Sequence, residues 1–118
     1  MDSGGLSLFG GSGALTDNLA QVFQSGTTGT SQTITVNGGG SITLVGGSSA
    51  QTAVGSTHGS RAILHNNGDT QLIDFAEGGS LNLIGGTVGS RNFALVQTAN
   101  GSQTIQGADT IALTGGAN

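Results

Sequence analysis

"SITLVGG" occupies residues 41–47, and the phrase returns as "SLNLIGG" at 80–86, as "TIALTGG" at 110–116 and, more faintly, as "GLSLFGG" at 5–11. A chain of 118 residues that writes one short phrase four times is built from repeats, and the content of the repeat decides the fold. With the leucine of the phrase as a ruler, Leu8, Leu44, Leu83 and Leu113 fall 36, 39 and 30 residues apart. A second phrase precedes each of the last three: "SQTITV" (31–36), "TQLIDF" (70–75) and "SQTIQG" (102–107). A third comes before that: "NLAQVF" (18–23), "RAILH" (61–65) and "NFALVQ" (92–97). The unit is three short apolar phrases, a, b and c, separated by turns, and the chain reads c–abc–abc–abc.

Each phrase has the length and the Ile, Val, Thr and Leu content of a β-strand and is too short for a helix. A helix over 14–23, capped by Thr16 or Asp17, is the one competing element, and the alignment of that stretch with "NFALVQ" favours a strand. The insertion at 48–60 reads as a loop or an extra strand. Two all-β architectures satisfy the pattern. The recurring abc unit favours a three-rung β-solenoid. The Asn-Gly pairs in "NNGD" (66–69) and "ANGS" (99–102) favour antiparallel hairpins with type I′ turns, and hence a β-sandwich. The solenoid is the leading expectation. The division is a Gly-rich N-terminal segment, 1–17, carrying one extra strand, and a repeat-built β-domain, 18–118.

Period-two alternation assigns faces. The core set is Ile34, Val36, Ile42, Leu44, Ile73, Phe75, Leu81, Leu83, Ile105, Ile111 and Leu113. On the other face of the c strands, Phe9, Val45, Ile84 and Thr114 occupy matching positions, where an ordinary outer face carries Lys or Glu. With Leu6 and Leu8 of the surplus leading strand, they form the expected assembly interface. That strand pairs either within its own subunit or, by strand addition, with the open edge of a neighbour.

Composition narrows the function. Gly supplies 24 residues, Pro, Cys, Trp, Tyr and Lys are absent, and charged residues make up 7% where a typical domain has roughly 25%. The net charge of −4, with Arg61 and Arg91 as the only cations, excludes nucleic-acid binding by phosphate neutralisation and attraction to anionic membranes. No run of apolar residues is long enough for a spanning helix, so membrane insertion is not expected. The first residues lack the basic start and unbroken apolar core of a secretory signal, which leaves the export route open.

Catalytic vocabulary is sparse. His58 and His65, with Asp69, Asp74 and Glu77 downstream, match no zinc or calcium spacing. No G-x-S-x-G elbow accompanies the many serines. Asp69 and Asp109, beside Gly-rich turns, loosely resemble calcium-binding nonapeptide repeats, but the paired glycines two residues apart are missing, and Asp as a turn former explains them better. The outward Thr ladder of an ice-binding solenoid breaks at its middle rung, where Leu72 and Asp74 stand between Thr33/Thr35 and Thr104/Gln106. Arg61 and Arg91 occur in the matching contexts "GSRAI" and "GSRNF", as strand-start residues or as partners of Asp74 or Glu77 across a subunit contact. The expectation is therefore a non-enzyme with no cofactor and no metal, calcium being the one ion left in view.

Between residues 5 and 116 the chain resembles subunits of secreted bacterial fibres, in the broad sense of functional amyloids and β-repeat matrix filaments. The shared features are richness in Gly, Ser, Thr, Gln and Asn, absence of Pro and Cys, low charge and imperfect repeats. The fixed Ser, Gln, Gly and Asn grid of the curli repeat is not reproduced by "SQTITVNGGGSITLVGG", so the resemblance is to the class and no functional residue carries over. It implies a structural subunit that self-assembles through β-sheet contacts into an extracellular filament or biofilm-matrix fibre, a homopolymer. The alternative is a soluble β-module that binds ice or glycans.

Overall fold

The computed structural model describes residues 4–12, 18–48, 59–89 and 91–116. Ten strands follow in chain order: β1 (Gly5–Phe9), β2 (Leu19–Gln24), β3 (Ser31–Val36), β4 (Ser41–Val45), β5 (Arg61–Asn66), β6 (Thr70–Phe75), β7 (Ser80–Ile84), β8 (Ala94–Thr98), β9 (Ser102–Gln106) and β10 (Thr110–Thr114). They form three sheets, ordered β1-β4-β7-β10, β2-β5-β8 and β3-β6-β9, one for each phrase. Every pairing is parallel and in register. The chain is an all-β solenoid: β1–β3, β4–β6 and β7–β9 are three stacked rungs, and β10 begins a fourth. Residues 13–17, which include both candidate caps of the 14–23 helix, lie outside the described residues, as do 49–58 of the insertion and His58. Leu19–Gln24 is a strand.

The antiparallel sandwich is corrected by these ladders. A type I′ turn needs a positive φ at both central residues, and Gly68, Asn67 and Asn100 do not have one; Arg91 is the only non-glycine with a positive φ among the described residues. At the 66–69 turn the chain turns a corner. Asn66, fully buried, accepts a hydrogen bond from Gly68 N (3.1 Å) and donates to the carbonyls of Gly68 and Thr70 (3.1 and 3.0 Å) and to Thr98 Oγ1 (3.2 Å). Local turn chemistry is satisfied by a side chain folded inward, so the strands go on to neighbours one rung away.

The repeated "GG" has a steric reason. After β1, β4 and β7 the first glycine continues the ladder, with Gly10 N, Gly46 N and Gly85 N donating to the carbonyls of Val45, Ile84 and Thr114, each at 2.8 Å. The second glycine reaches across the corner to the start of the a strand: Gly11 N to Asn18 O, Gly47 N to Ser60 O and Gly86 N to Asn92 O (3.2, 2.8 and 2.7 Å). Corners of successive rungs approach so closely that a Cβ on Gly46 would stand 2.7 Å from Asn92 O and 2.8 Å from Gly86 N. On Gly47 or Gly86 it would overlap the backbone oxygen of the glycine one rung away, Gly11 and Gly47 respectively. Side chains are excluded from this column by packing. The c-to-a connections differ in length, and in each the second glycine ties the two ends together.

The three sheets surround one core of Val36, Ile42, Leu44, Ala62, Leu64, Ile73, Phe75 and Leu81. Ile34, Leu83 and Ile105 pack against it part-buried, as do Leu6, Leu8, Val22 and Val96. Ile111 and Leu113, on the inward face of β10, are 50% and 74% exposed because β10 stands one rung beyond its neighbouring sheets. Within this apolar interior runs a polar ladder. Gln32, Gln71 and Gln103 are in register on the face that carries Ile34, Ile73 and Ile105. Gln103 Nε2 donates to Gln71 Oε1 (2.5 Å), Gln71 Nε2 to Gln32 Oε1 (2.6 Å), and Gln32 Nε2 to His65 O (3.3 Å).

Burial of Gln71, which is 1% exposed, is tolerated because its amide is bonded on both sides. Gln71→Leu adds apolar surface yet strips a buried acceptor and a donor of their partners. It is expected to lower unfolding stability by about 1–3 kcal/mol, read from the urea midpoint. An unchanged or raised midpoint would show that the ladder contributes nothing.

Candidate functional site

Three of the described acids, all exposed, accept hydrogen bonds from backbone N–H groups of neighbouring turns. Asp69 Oδ2 accepts from Gly29 N at 2.8 Å, Glu77 Oε2 from Gly38 N at 2.7 Å and Asp109 Oδ2 from Gly79 N at 3.0 Å. Gly29, Gly38 and Gly79 have φ of 80°, 62° and 122°, conformations that suit glycine. In each pair the carboxylate belongs to the corner one rung further along and holds the turn of the rung before it. Carboxylates are strong acceptors for backbone N–H groups, so these three acids act as clips between rungs. Asp74, on the outer face of β6, accepts from Gln106 Nε2 at 3.0 Å. The Arg61 guanidinium lies 5.7 Å from the centre of the Phe93 ring, and His65 stands beside Phe23 with ring centres 4.9 Å apart. Arg91 is exposed at a corner.

His65 and Asp74 point outward from different sheets, and Asp69 sits at the corner between them, occupied with Gly29. Among the described residues no three His, Cys, Asp or Glu side chains come together to hold a metal ion. At the start of the a strands a further polar column is tied by side chains. Asn92 Oδ1 accepts from Ser60 N at 2.7 Å and Asn92 Nδ2 donates to Val88 O, while Asn18 Nδ2 reaches Ser60 Oγ at 3.4 Å.

The chemistry on offer lies at the ends of the stack. No strand of the first rung (GLSLF, LAQVFQ, SQTITV) carries a charged residue, and neither do β8, β9 and β10 (ALVQT, SQTIQ, TIALT). Charges within strands are confined to the middle rung, at Arg61 in β5 and Asp74 in β6. Among the described residues, β1, β2 and β3 each have one unpaired edge at one end, and β8, β9 and β10 each have one at the other. Between Val96, Ile105 and the overhanging Ile111 and Leu113, an apolar cleft floored by Leu81 and Leu83 opens at the β10 end.

The column expected to cover the second face runs in register, Phe9–Val45–Ile84–Thr114, on the outside of the c sheet. Phe9 is 62% exposed, Thr114 is exposed, and Val45 and Ile84 are part-buried. Its neighbours on that face are Ser, Thr, Asn, Ala and Gly. Leu6 and Leu8, grouped with that column in the sequence, point inward and pack against the core at the open first rung. The Gln ladder and the acid clips were not identified from sequence. A signal for the first exists, since Gln stands at the same strand parity as Ile in all three b phrases. The second needs the register, which joins residues about 30–40 positions apart.

The fold and its ends define a three-sheet parallel β-solenoid with charge-free terminal edges. Compared with protein-family models, with curated proteins and with solved structures, the chain matches none.

Strand ends that lack partners open more readily than the middle of the stack. Amide hydrogen exchange of the dispersed protein is expected to be slowest in β5 and β6 and at least tenfold faster in β10. Equal protection in β10 under dilute conditions would mean that its edge is already covered.

Proposed function

We propose that the protein is a structural subunit that polymerises through its sheet edges into an extracellular filament of the matrix type. The observation that carries this reading is the absence of charge from all six strands at the two ends. Soluble β-proteins protect edges with Lys, Pro, bulges or inward charges, because an unprotected row of N–H and C=O groups templates further strands. Among the described residues both ends present three unprotected edges at once, each in parallel register with the sheet behind it. Short, uncharged, Pro-free segments of high β-propensity are the kind that assemble. The acids and the polar side chains already bonded within the fold support a structural role over a chemical one. The extracellular part of the reading rests on the compositional resemblance to secreted fibre subunits.

Electron microscopy of the purified protein tests it, with uniform filaments as the expected result and monodisperse particles as the result against it. Two variants divide the surfaces. Leu113→Lys changes a side chain that is 74% exposed in the single subunit, so the fold is retained. It places a charge inside the junction of an end-to-end polymer and is expected to abolish filaments. Val45→Lys with Ile84→Lys charges the outer column and is expected to leave single filaments while removing side-by-side bundles.

A further inference from the structure

The two ends of the stack do not match by simple juxtaposition. Among the described residues there are four c strands but three a and three b strands. If β1 of a second copy sat on β10 of the first, the a and b positions between them would be vacant. That vacancy would leave Val96, Ile105, Ile111 and Leu113 of one copy facing Val22 and Ile34 of the other across a gap one strand wide in each of the two sheets.

On the reading that subunits polymerise, we infer that they join by strand replacement: β10 of one copy takes the place of β1 against β4 of the next, so that β2 and β3 of the second copy seat on β8 and β9 of the first. The strand count then closes, each junction adding three rungs without a gap.

The residues brought together favour this register. Extending the observed ladders by one rung sets Ala20 on Ala94 and Val22 on Val96 in the a sheet. In the b sheet it sets Ser31 on Ser102, Gln32 on Gln103, Thr33 on Thr104 and Ile34 on Ile105. Of the ten positions paired in this way these six are identical, while Gln21, Phe23, Gln24 and Thr35 meet Leu95, Gln97, Thr98 and Gln106; stacks of identical side chains are the arrangement that in-register parallel assemblies favour. The Gln ladder continues across the joint. Each glutamine donates to the one a rung earlier, which leaves Gln103 Oε1 as the open acceptor at one end. At the other end Gln32, with no glutamine before it, turns its amide to His65 O at 3.3 Å. In the junction Gln32 Nε2 gains Gln103 Oε1.

Replacement of β1 by β10 is a close exchange within the c sheet. Ile111 and Leu113 take the inward positions of Leu6 and Leu8, and both strands lead into a glycine pair, Gly115–Gly116 and Gly10–Gly11. β1 is held along one edge only, by β4, and its Phe9 is 62% exposed. What the exchange adds is two new strand pairings and cover for Ile111 and Leu113. β1 is then a self-made cap, occupying the growth site of each free subunit until another subunit displaces it.

Cysteine pairs in this cysteine-free chain test the register. Ser7, Thr43, Asn82 and Ala112 lie in one outward row, in that order. Thr43 and Ala112 of one chain are separated by Asn82, about 10 Å at two strand spacings, beyond the reach of a disulfide, which needs Cα atoms within roughly 7 Å. Strand replacement makes Thr43 and Ala112 of successive copies neighbours. Filaments of the Thr43→Cys, Ala112→Cys double variant, oxidised and run without reductant, are expected to give a ladder of covalent oligomers, and those of Ser7→Cys, Ala112→Cys to stay monomeric. Filaments that cross-link only through the Ser7 pair, or through neither, overturn strand replacement while leaving polymerisation in place. A protein that forms no filaments overturns both.

Discussion

Everything in this structure depends on the close approach of one corner to the next. The glycine pairs that end β4 and β7 let successive rungs meet backbone to backbone, with room for no side chain. That contact fixes the rung spacing and, with it, the register of all three ladders. Parallel strands need a crossover to return to the same level, and here the other two sheets are the crossover. The corner column is the seam that keeps each return aligned. The core follows: Ile42, Leu44 and Leu81 from one sheet meet Ala62 and Leu64 from the second and Ile73 and Phe75 from the third. None of these rungs buries its apolar face alone, which is the energetic condition of repeat proteins in general.

Polar groups are used to hold rungs together. Three carboxylates clip glycine turns one rung away, and glutamine amides bond from rung to rung, so these acids and amides serve the axis of the stack. This economy lets a chain with 7% charged residues give the turn N–H groups of Gly29, Gly38 and Gly79 carboxylate partners. It also explains why the ends differ from the middle: a clip or a ladder needs a rung on each side, and the terminal rungs have one.

Much of the fold was legible in the sequence because strands declare themselves by alternation. The phrases around Leu44, Ile73 and Leu64 became the c, b and a strands, and the surplus leading phrase became β1. On direction the sequence carried two opposing signals: the recurring abc unit favoured the solenoid that is observed, and the Asn-Gly pairs favoured hairpins. Asn-Gly signals a hairpin through local φ preferences, but at residues 66–69 the Asn66 side chain supplies the turn's hydrogen bonds and the chain leaves the corner for another rung. The acid clips were hidden for a related reason, since Glu77 meets Gly38 only once the register is known. Ile111 and Leu113 show the converse: alternation assigns them to the inward face correctly, yet burial there requires strands beyond β8 and β9.

The central claim is that the solenoid continues from one copy to the next along its own axis. Helical reconstruction of filaments by electron cryomicroscopy measures this directly, through the axial rise per subunit. Three rungs per subunit at the spacing of parallel strands give a rise of about 14 Å, with strands running across the filament axis. A rise of about 19 Å would mean four levels per subunit. Strands running along the axis, or particles that never exceed a single chain, would contradict the account.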